Sequence, residues 1–110
     1  MWYLEKDIVL SSAHRLKGYD GKCANVHGHS WHVTVYCKGE KLNKDGILVD
    51  FVKIKDGVNH FDHKFLNELF PDKENPTAEN FAKRILEMIP LCYKVMVQEE
   101  EGSRCYYTEE

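Results

Sequence analysis

His27-Gly28-His29-Ser30-Trp31-His32-Val33-Thr34-Val35-Tyr36-Cys37-Lys38 repeats with a period of two: His27, His29, Trp31, Val33, Val35 and Cys37 share one side, and Ser30, His32, Thr34, Tyr36 and Lys38 the other. Successive side chains change face in this way only along an extended strand, so the stretch predicts a half-buried strand with two imidazoles side by side on its inner face. Upstream, residues 2–10 alternate as well, with Trp2, Leu4, Ile8 and Leu10 on one parity and Lys6 as the one break. Between these strands Ser11 to Asn25 is polar and contains glycine, and reads as a long loop, with His14 at the end of the first strand.

Downstream, turn chemistry appears at Gly39 and at Asp45-Gly46. Phe51, Ile54 and Val58 then recur at helical spacing behind Asp50, a residue suited to capping a helix N-terminus; Gly57 weakens that helix. Ala78, Phe81, Ala82, Ile85, Leu86 and Ile89 form the apolar stripe of a second helix from about Thr77 to Ile89, capped by Thr77 and stopped by Pro90. Residues 93–99 alternate again with Tyr93, Val95 and Val97 on one face, and Gly102-Ser103 turns the chain into a last strand ending near Tyr107. Strand, strand, helix, helix, strand, strand predicts an α+β domain over residues 1–110, a four-stranded antiparallel sheet with both helices on one face. So small a sheet leaves edges and a second face to cover, which association with copies of itself would do.

The chain has 110 residues and a formal net charge of −3, with 43% hydrophobic and 12% aromatic residues, enough for one core. Near-balanced charge without a basic tract argues against nucleic acid as a partner. No apolar run is long enough to span a bilayer, and the first residues lack the pattern of a signal peptide, so a cytoplasmic protein with no membrane association is expected. In a reducing compartment Cys23, Cys37, Cys92 and Cys105 stay free thiols, and no Cys-x-x-Cys pair suggests a sulfur-based zinc finger.

All six histidines fall within the first 63 residues. On a strand, His27 and His29 stand about 6.5–7 Å apart at Cα, close enough to chelate one ion, and Gly28 between them lets a backbone or a substrate approach from behind. His14 supplies a third nitrogen if the first two strands are neighbours. Three histidines leave a tetrahedral zinc one open position, which distinguishes a catalytic from a structural ion. The competing reading is of surface or core histidines bonded to backbone; His32, on the opposite face, and His60 are bystanders. Cys23, four residues before His27, reads either as a thiol ionised beside a cation or as an inert buried cysteine. Asp62-His63 reads as a tautomer-fixing pair or as a turn. Glu99 continues the parity of Val95 and Val97 and is suited to a guanidine-like ligand edge, or else belongs to a solvated run Glu99-Glu100-Glu101.

Taken in order, Ser12-Ala13-His14, Cys23-x-x-x-His27-Gly28-His29, Asp50-Phe51, Asp62-His63-x-x-Leu66-Asn67, Pro76-Thr77-Ala78-Glu79-Asn80 and Val95-x-Val97-x-Glu99 resemble the 6-pyruvoyl-tetrahydropterin synthase family across nearly the whole chain. The three-residue gap between Cys23 and His27 looks like its 6-carboxy-5,6,7,8-tetrahydropterin synthase (queuosine, preQ0) branch. The resemblance implies the tunnelling fold (T-fold), in which trimeric barrels stack into a homohexamer, a dimer of trimers with sites between subunits. It further implies Zn2+ on His14, His27 and His29, proton transfer by Cys23, Asp62 and His63, and pterin contacts from Glu99 and Thr77. The implied reaction of the zinc-dependent lyase takes 7,8-dihydroneopterin triphosphate to 6-carboxy-5,6,7,8-tetrahydropterin with loss of triphosphate and acetaldehyde. Two rivals stay open: triphosphate elimination without side-chain cleavage, as in a 6-pyruvoyl-tetrahydropterin synthase, and a non-catalytic zinc-binding assembly module. Leu10, where the family often has an aromatic, and Glu100, where a small or hydroxyl residue is usual, are the departures.

Overall fold

Apolar alternation and two amphipathic helices build a four-stranded sheet covered on one face. In the computed structural model, which describes residues 1–109, the strands are β1 (Trp2–His14), β2 (His27–Gly39), β3 (Cys92–Glu100) and β4 (Ser103–Thr108). Helices α1 (Phe51–Asn59) and α2 (Ala78–Met88) fall between β2 and β3, with short 3-10 turns at Lys22–Ala24 and Leu66–Glu68. The strands lie side by side in chain order and every pairing is antiparallel, as the element order predicts.

Both helices begin at side chains that satisfy otherwise unpaired backbone N–H groups. The Asp50 carboxylate accepts from Val52 N at 2.9 Å, and the Thr77 hydroxyl from Asn80 N at 3.1 Å. Gly57 is held inside α1 because the helix packs tightly there: a Cβ at this position would come within 2.8 Å of Ile89 Cδ1. Helix α1 lies over β1, and α2 over β3 and β4. Between the layers Ile8, Leu10, Trp31, Val33, Val35, Val95 and Val97 from the sheet meet Ile54, Val58, Phe81, Ile85 and Leu86 from the helices, all buried. Truncating a fully buried aromatic such as Phe81 to alanine would cost about 3–5 kcal/mol.

Two elements depart from the sequence expectation. Strand β1 does not stop at Leu10 but pairs with β2 as far as His14, through Ser11↔Ser30, Ser12↔His29, Ala13↔Gly28 and His14↔His27. The inward parity runs on unbroken through Ser12 and His14, both buried, but hydroxyl and imidazole replace the hydrocarbon that would have signalled it. A further segment docks on the free edge of this extension: His63 N donates to Ser11 O (2.6 Å), Ala13 N to Lys64 O (2.9 Å), and Ala13 bridges Phe65 in parallel.

The second departure is Tyr93, expected on the face of Val95 and Val97. The β2–β3 register slips after Tyr36↔Lys94, so that the next pair is Cys37↔Cys92. One extra residue in a strand re-aims the side chain at the bulge. The Tyr93 ring accordingly lies against Tyr3 and Tyr36 on the face away from the helices, with Lys38 Nζ 4.8 Å from its centroid.

Candidate active site

Because His14 is the register partner of His27 and His29 follows two residues on, the end of β1 and the start of β2 deliver three imidazoles to one corner of the covered face. Their ring centroids are 4.5 Å (His14–His27), 5.1 Å (His14–His29) and 4.9 Å (His27–His29) apart, and one ligand nitrogen from each lies within 4.8 Å of the other two. The fully buried Trp31 forms the floor, its ring 5.1 Å from His14 and 5.2 Å from His29, and its indole N–H donates to Ser12 O at 3.1 Å.

Backbone carbonyls set two of the rings. His14 Nδ1 lies 2.8 Å from Pro76 O, and His27 Nδ1 2.7 Å from Asn25 O. A carbonyl only accepts, so each Nδ1 carries the proton and each Nε2 keeps its lone pair, the arrangement found behind metal-ligating histidines. Burial, the strongest influence, holds His14 below the ordinary imidazole value; the Pro76 carbonyl opposes it, His27 reinforces it, Glu99 opposes it and His29 adds the smallest push in the direction of burial. His14 Nε2 and His29 Nε2 are buried without a hydrogen-bond partner among the described residues. Leaving such groups unpaired costs about 1–3 kcal/mol each. Three imidazoles whose ligand nitrogens lie within 4.8 Å of one another, with His14 Nε2 and His29 Nε2 orphaned, fit a divalent cation, and a borderline-soft ion with nitrogen ligands fits best. His32 and His60 are exposed and stand outside this set.

Glu99 borders the same corner. A bulge between Gln98 and Glu100 turns it out of the β3–β4 ladder. Its Oε1 lies 3.5 Å from His14 Nε2 and 3.8 Å from His29 Nε2, while Glu100 and Glu101 are exposed. The mutually close donor set consists of the three histidines without Glu99, so the carboxylate flanks its open side. Glu99 also lines two recesses, one of about 340 Å3 with Glu79 and Arg104, and one of about 620 Å3 with His29, Glu100, Glu101 and Arg104. Thr77 caps α2, and the next residue, Ala78, reaches the smaller recess.

Asp62 and His63 touch: His63 Nδ1 is 3.0 Å from Asp62 Oδ2. The Ser11 N–H donates to Asp62 Oδ1 at 2.8 Å, and this bond, ahead of those from His63, holds the carboxyl below its ordinary range. His63 adopts a left-handed backbone, φ 56°, rare for a residue with a side chain, and its ring is 82% exposed with Nε2 free. Cys23 sits in the turn Lys22–Ala24, half-buried, its carbonyl accepting from Leu16 N at 2.7 Å. Its thiol makes no hydrogen bond among the described residues.

Several supports of the site have no sequence signature, above all the carbonyls of Pro76 and Asn25 and the N–H of Ser11, since main-chain groups are the same in every residue. Asn67 and Asn75 are a different case. Each amide clamps both main-chain groups of one residue beyond His14, Asn67 those of Arg15 (2.9 and 2.9 Å) and Asn75 those of Lys17 (2.8 and 3.1 Å). Paired donor and acceptor on one side chain is a readable signal.

The sequence model of the 6-pyruvoyl tetrahydropterin synthase family matches residues 3–110. A Bacillus subtilis (strain 168) protein named 6-carboxy-5,6,7,8-tetrahydropterin synthase is 36% identical, covering 94% of this chain and 83% of that protein. A Synechocystis protein of the same name is 34% identical over 74% of this chain and 70% of its own. Among solved structures, Caenorhabditis elegans 6-pyruvoyl tetrahydropterin synthase superposes with a TM-score of 0.78 at 26% identity, covering 99% of this chain and 96% of that one. A Wolinella succinogenes protein of uncharacterised function, at 18% identity and a TM-score of 0.74, shares the fold. With its sheet, its helix order and its histidine corner all accounted for, this chain belongs to the 6-pyruvoyl tetrahydropterin synthase family.

Proposed function

We propose that the chain is a zinc-dependent lyase that converts 7,8-dihydroneopterin triphosphate to 6-carboxy-5,6,7,8-tetrahydropterin, releasing triphosphate and acetaldehyde, and so serves queuosine (preQ0) biosynthesis. The observation that carries this is the histidine corner: one ligand nitrogen from each of three imidazoles lies within 4.8 Å of the others, His14 Nε2 and His29 Nε2 are buried and orphaned, and no fourth residue among the described ones joins the close set. His14, His27 and His29 would hold the ion, which when bound supplies Lewis-acid polarisation of the substrate's side-chain hydroxyls.

The chain's own residues do the rest. Glu99, an acceptor-only carboxylate, receives two N–H donors from the 2-amino and N3 edge of the pterin, fixing the ring so that its side chain meets the corner. Thr77 contributes a second polar contact at the start of α2. The Cys23 thiolate takes the proton from the side chain. Asp62 keeps the His63 proton on Nδ1, which leaves Nε2 as the acceptor that relays it. Triphosphate leaves with the side chain's terminal C–O bond, water adds at the carbon attached to the ring, and cleavage of that carbon from the next releases acetaldehyde and leaves a carboxylate; the two electrons given up reduce the ring's C6=N5 bond, so that the dihydropterin becomes a tetrahydropterin. The spacing of Cys23 to His27 and the names of the Bacillus and Synechocystis relatives favour the carboxy over the pyruvoyl product.

The proposed working form is a homo-oligomer, a hexamer made of two trimers, in the cytoplasm. Support comes from the open sheet: β1 and β4 are its edge strands, and Tyr3 (65%), Val9 (60%) and Tyr106 (57%) are exposed on the uncovered face. Incubation of the zinc-loaded protein with 7,8-dihydroneopterin triphosphate, followed by mass spectrometry, tests the reaction. Carboxytetrahydropterin with acetaldehyde is expected. A pyruvoyl product would move the chain to the other branch, and an unchanged pterin would reduce the corner to a structural zinc site.

A further inference from the structure

We propose that Cys37 and Cys92, paired across β2 and β3, are a peroxide-responsive dithiol: a hydroperoxide oxidises Cys92, and Cys37 closes on it to give a reversible disulfide. The pair stands at the far end of β2 from the metal corner, about 26 Å along the strand from His29, and is independent of the reaction proposed above.

The bulge in β3 brings the two sulfurs together. Val33↔Val97 and Val35↔Val95 are buried pairs under the helices, and an unbroken register would set Cys37 opposite Tyr93. The slip after Tyr36↔Lys94 instead sends Tyr93 to the uncovered face and makes Cys92 the partner of Cys37. Residues directly opposite on antiparallel strands have Cα atoms roughly 4.5–5.5 Å apart, inside the roughly 4.4–6.8 Å that a disulfide spans. The bond can therefore form without moving the strands. Leu91 fixes the approach to Cys92: its backbone is left-handed, φ 60°, and its carbonyl accepts from Lys38 N at 3.1 Å.

The two thiols are hydrogen-bonded to each other, and their surroundings differ. Cys37 is fully buried, with its Sγ 3.6 Å from Pro90 O, whereas Cys92 is partly exposed, with its Sγ 3.4 Å from Lys94 O. The hydrogen bond from Cys37 is the largest influence on Cys92 and holds it below the ordinary thiol value against the effect of burial. The same bond, with burial behind it, holds Cys37 well above that value. Exposure and acidity thus coincide on Cys92, which makes it the attacking thiol and Cys37 the resolving one.

The chemistry balances in two steps. The Cys92 thiolate attacks one oxygen of the hydroperoxide, the O–O bond breaks, the departing alkoxide takes the proton that Cys92 gave up, and the sulfur becomes a sulfenic acid. Cys37 then attacks Cys92 Sγ, the S–O bond breaks, and hydroxide leaves as water with the Cys37 proton. The sulfur pair loses two electrons and the hydroperoxide gains them. In a reducing compartment the pair rests as thiols, and the bond is transient. Once formed, it closes residues 38–91, both helices included, into one loop and so restricts the unfolded chain.

The test exposes the reduced full chain to tert-butyl hydroperoxide, followed by proteolysis without reductant and mass spectrometry. Expected is a peptide pair joined through Cys37 and Cys92, lighter than its reduced members by two hydrogens and separated again by dithiothreitol. The oxidised protein should melt higher than the reduced protein by about 5 °C or more, a gain that Cys92→Ala does not show. In Cys37→Ala, dimedone should label Cys92 as the trapped sulfenic acid; in Cys92→Ala it should leave Cys37 unlabelled. Because Cys37 lies in the core, the wild-type cross-link map decides the matter even where Cys37→Ala folds poorly. Links to Cys23 or Cys105 instead, disulfides only between chains, or a Cys92 thiol that survives after Cys23 has been consumed would each overturn the assignment.

Discussion

Replacing Glu99 by glutamine separates a carboxylate that anchors substrate from one that completes a metal cage. The geometry makes the question sharp, because Glu99 Oε1 lies only 3.5 and 3.8 Å from two of the three donor nitrogens. Glutamine has the same shape but puts an N–H2 where one acceptor oxygen stood, so the paired contact with the pterin edge loses its charge and one of its two bonds. Hydrogen bonds to a charged group contribute about 1.5–3 kcal/mol, which corresponds to a fall of about 10- to 150-fold in kcat/KM. Stability should hardly change, since the Glu99 side chain is 30% exposed and accepts no hydrogen bond within the described structure. Elemental analysis of the purified variant should find zinc at the wild-type stoichiometry, because the three histidine nitrogens are untouched. Loss of zinc from Glu99→Gln would refute the reasoning: the carboxylate would then be a fourth protein ligand, the position reserved for substrate would be filled, and the lyase proposal would fall with it.

Cys23→Ala should retain zinc and lose most turnover; steady-state rates like those of the wild type would remove the thiol from the mechanism. His29→Ala should lose both metal and activity, and full metal content by elemental analysis would contradict the ligand set. Asp62 has its folded-state pKa depressed by the Ser11 N–H, so its contribution to stability is complete above the unfolded carboxylate value of about 3.9 and is lost as pH falls through the lower folded value. Urea unfolding below about pH 4 should therefore show a shallower pH dependence in Asp62→Asn than in the wild type. Identical slopes would mean that the Ser11 contact does not persist in solution.

Sheet, helices and caps were legible because each rests on a periodic or local signal: alternation around Trp31 and Val33, a stripe from Ala78 to Ile89, Asp50 and Thr77 one step before their helices. The histidine corner was legible for a related reason, since two of its members lie on one strand face. The third required knowing that β1 reaches His14. There the sequence is silent, because Ser11 and Ser12 look like loop residues and are held as strand by pairing with β2 on one side and residues 61–65 on the other. Tyr93 went astray on the same principle: alternation assumes an unbroken register, and a bulge is set by the partner strand. Parity left Glu99 open between a ligand contact and a solvated acidic run, and the resemblance chose the first; the bulge after Gln98 is what sets it apart from Glu100 and Glu101.

The two borders of the last stretch of β1 have different tenants. On one side β2 carries His27 and His29 on a continuous ladder; on the other a short docked segment holds Asp62 and His63 through two main-chain bonds, at Ser11 and Ala13, and one from Ser11 N to the Asp62 carboxylate. The short segment should fray first on warming, since few bonds must break together to release it. If the proposed roles hold, a heated zinc-loaded sample should pass through a stage in which the three histidines are still in place but Asp62 and His63 are not, so that activity vanishes at a lower temperature than zinc release and returns on cooling without added metal.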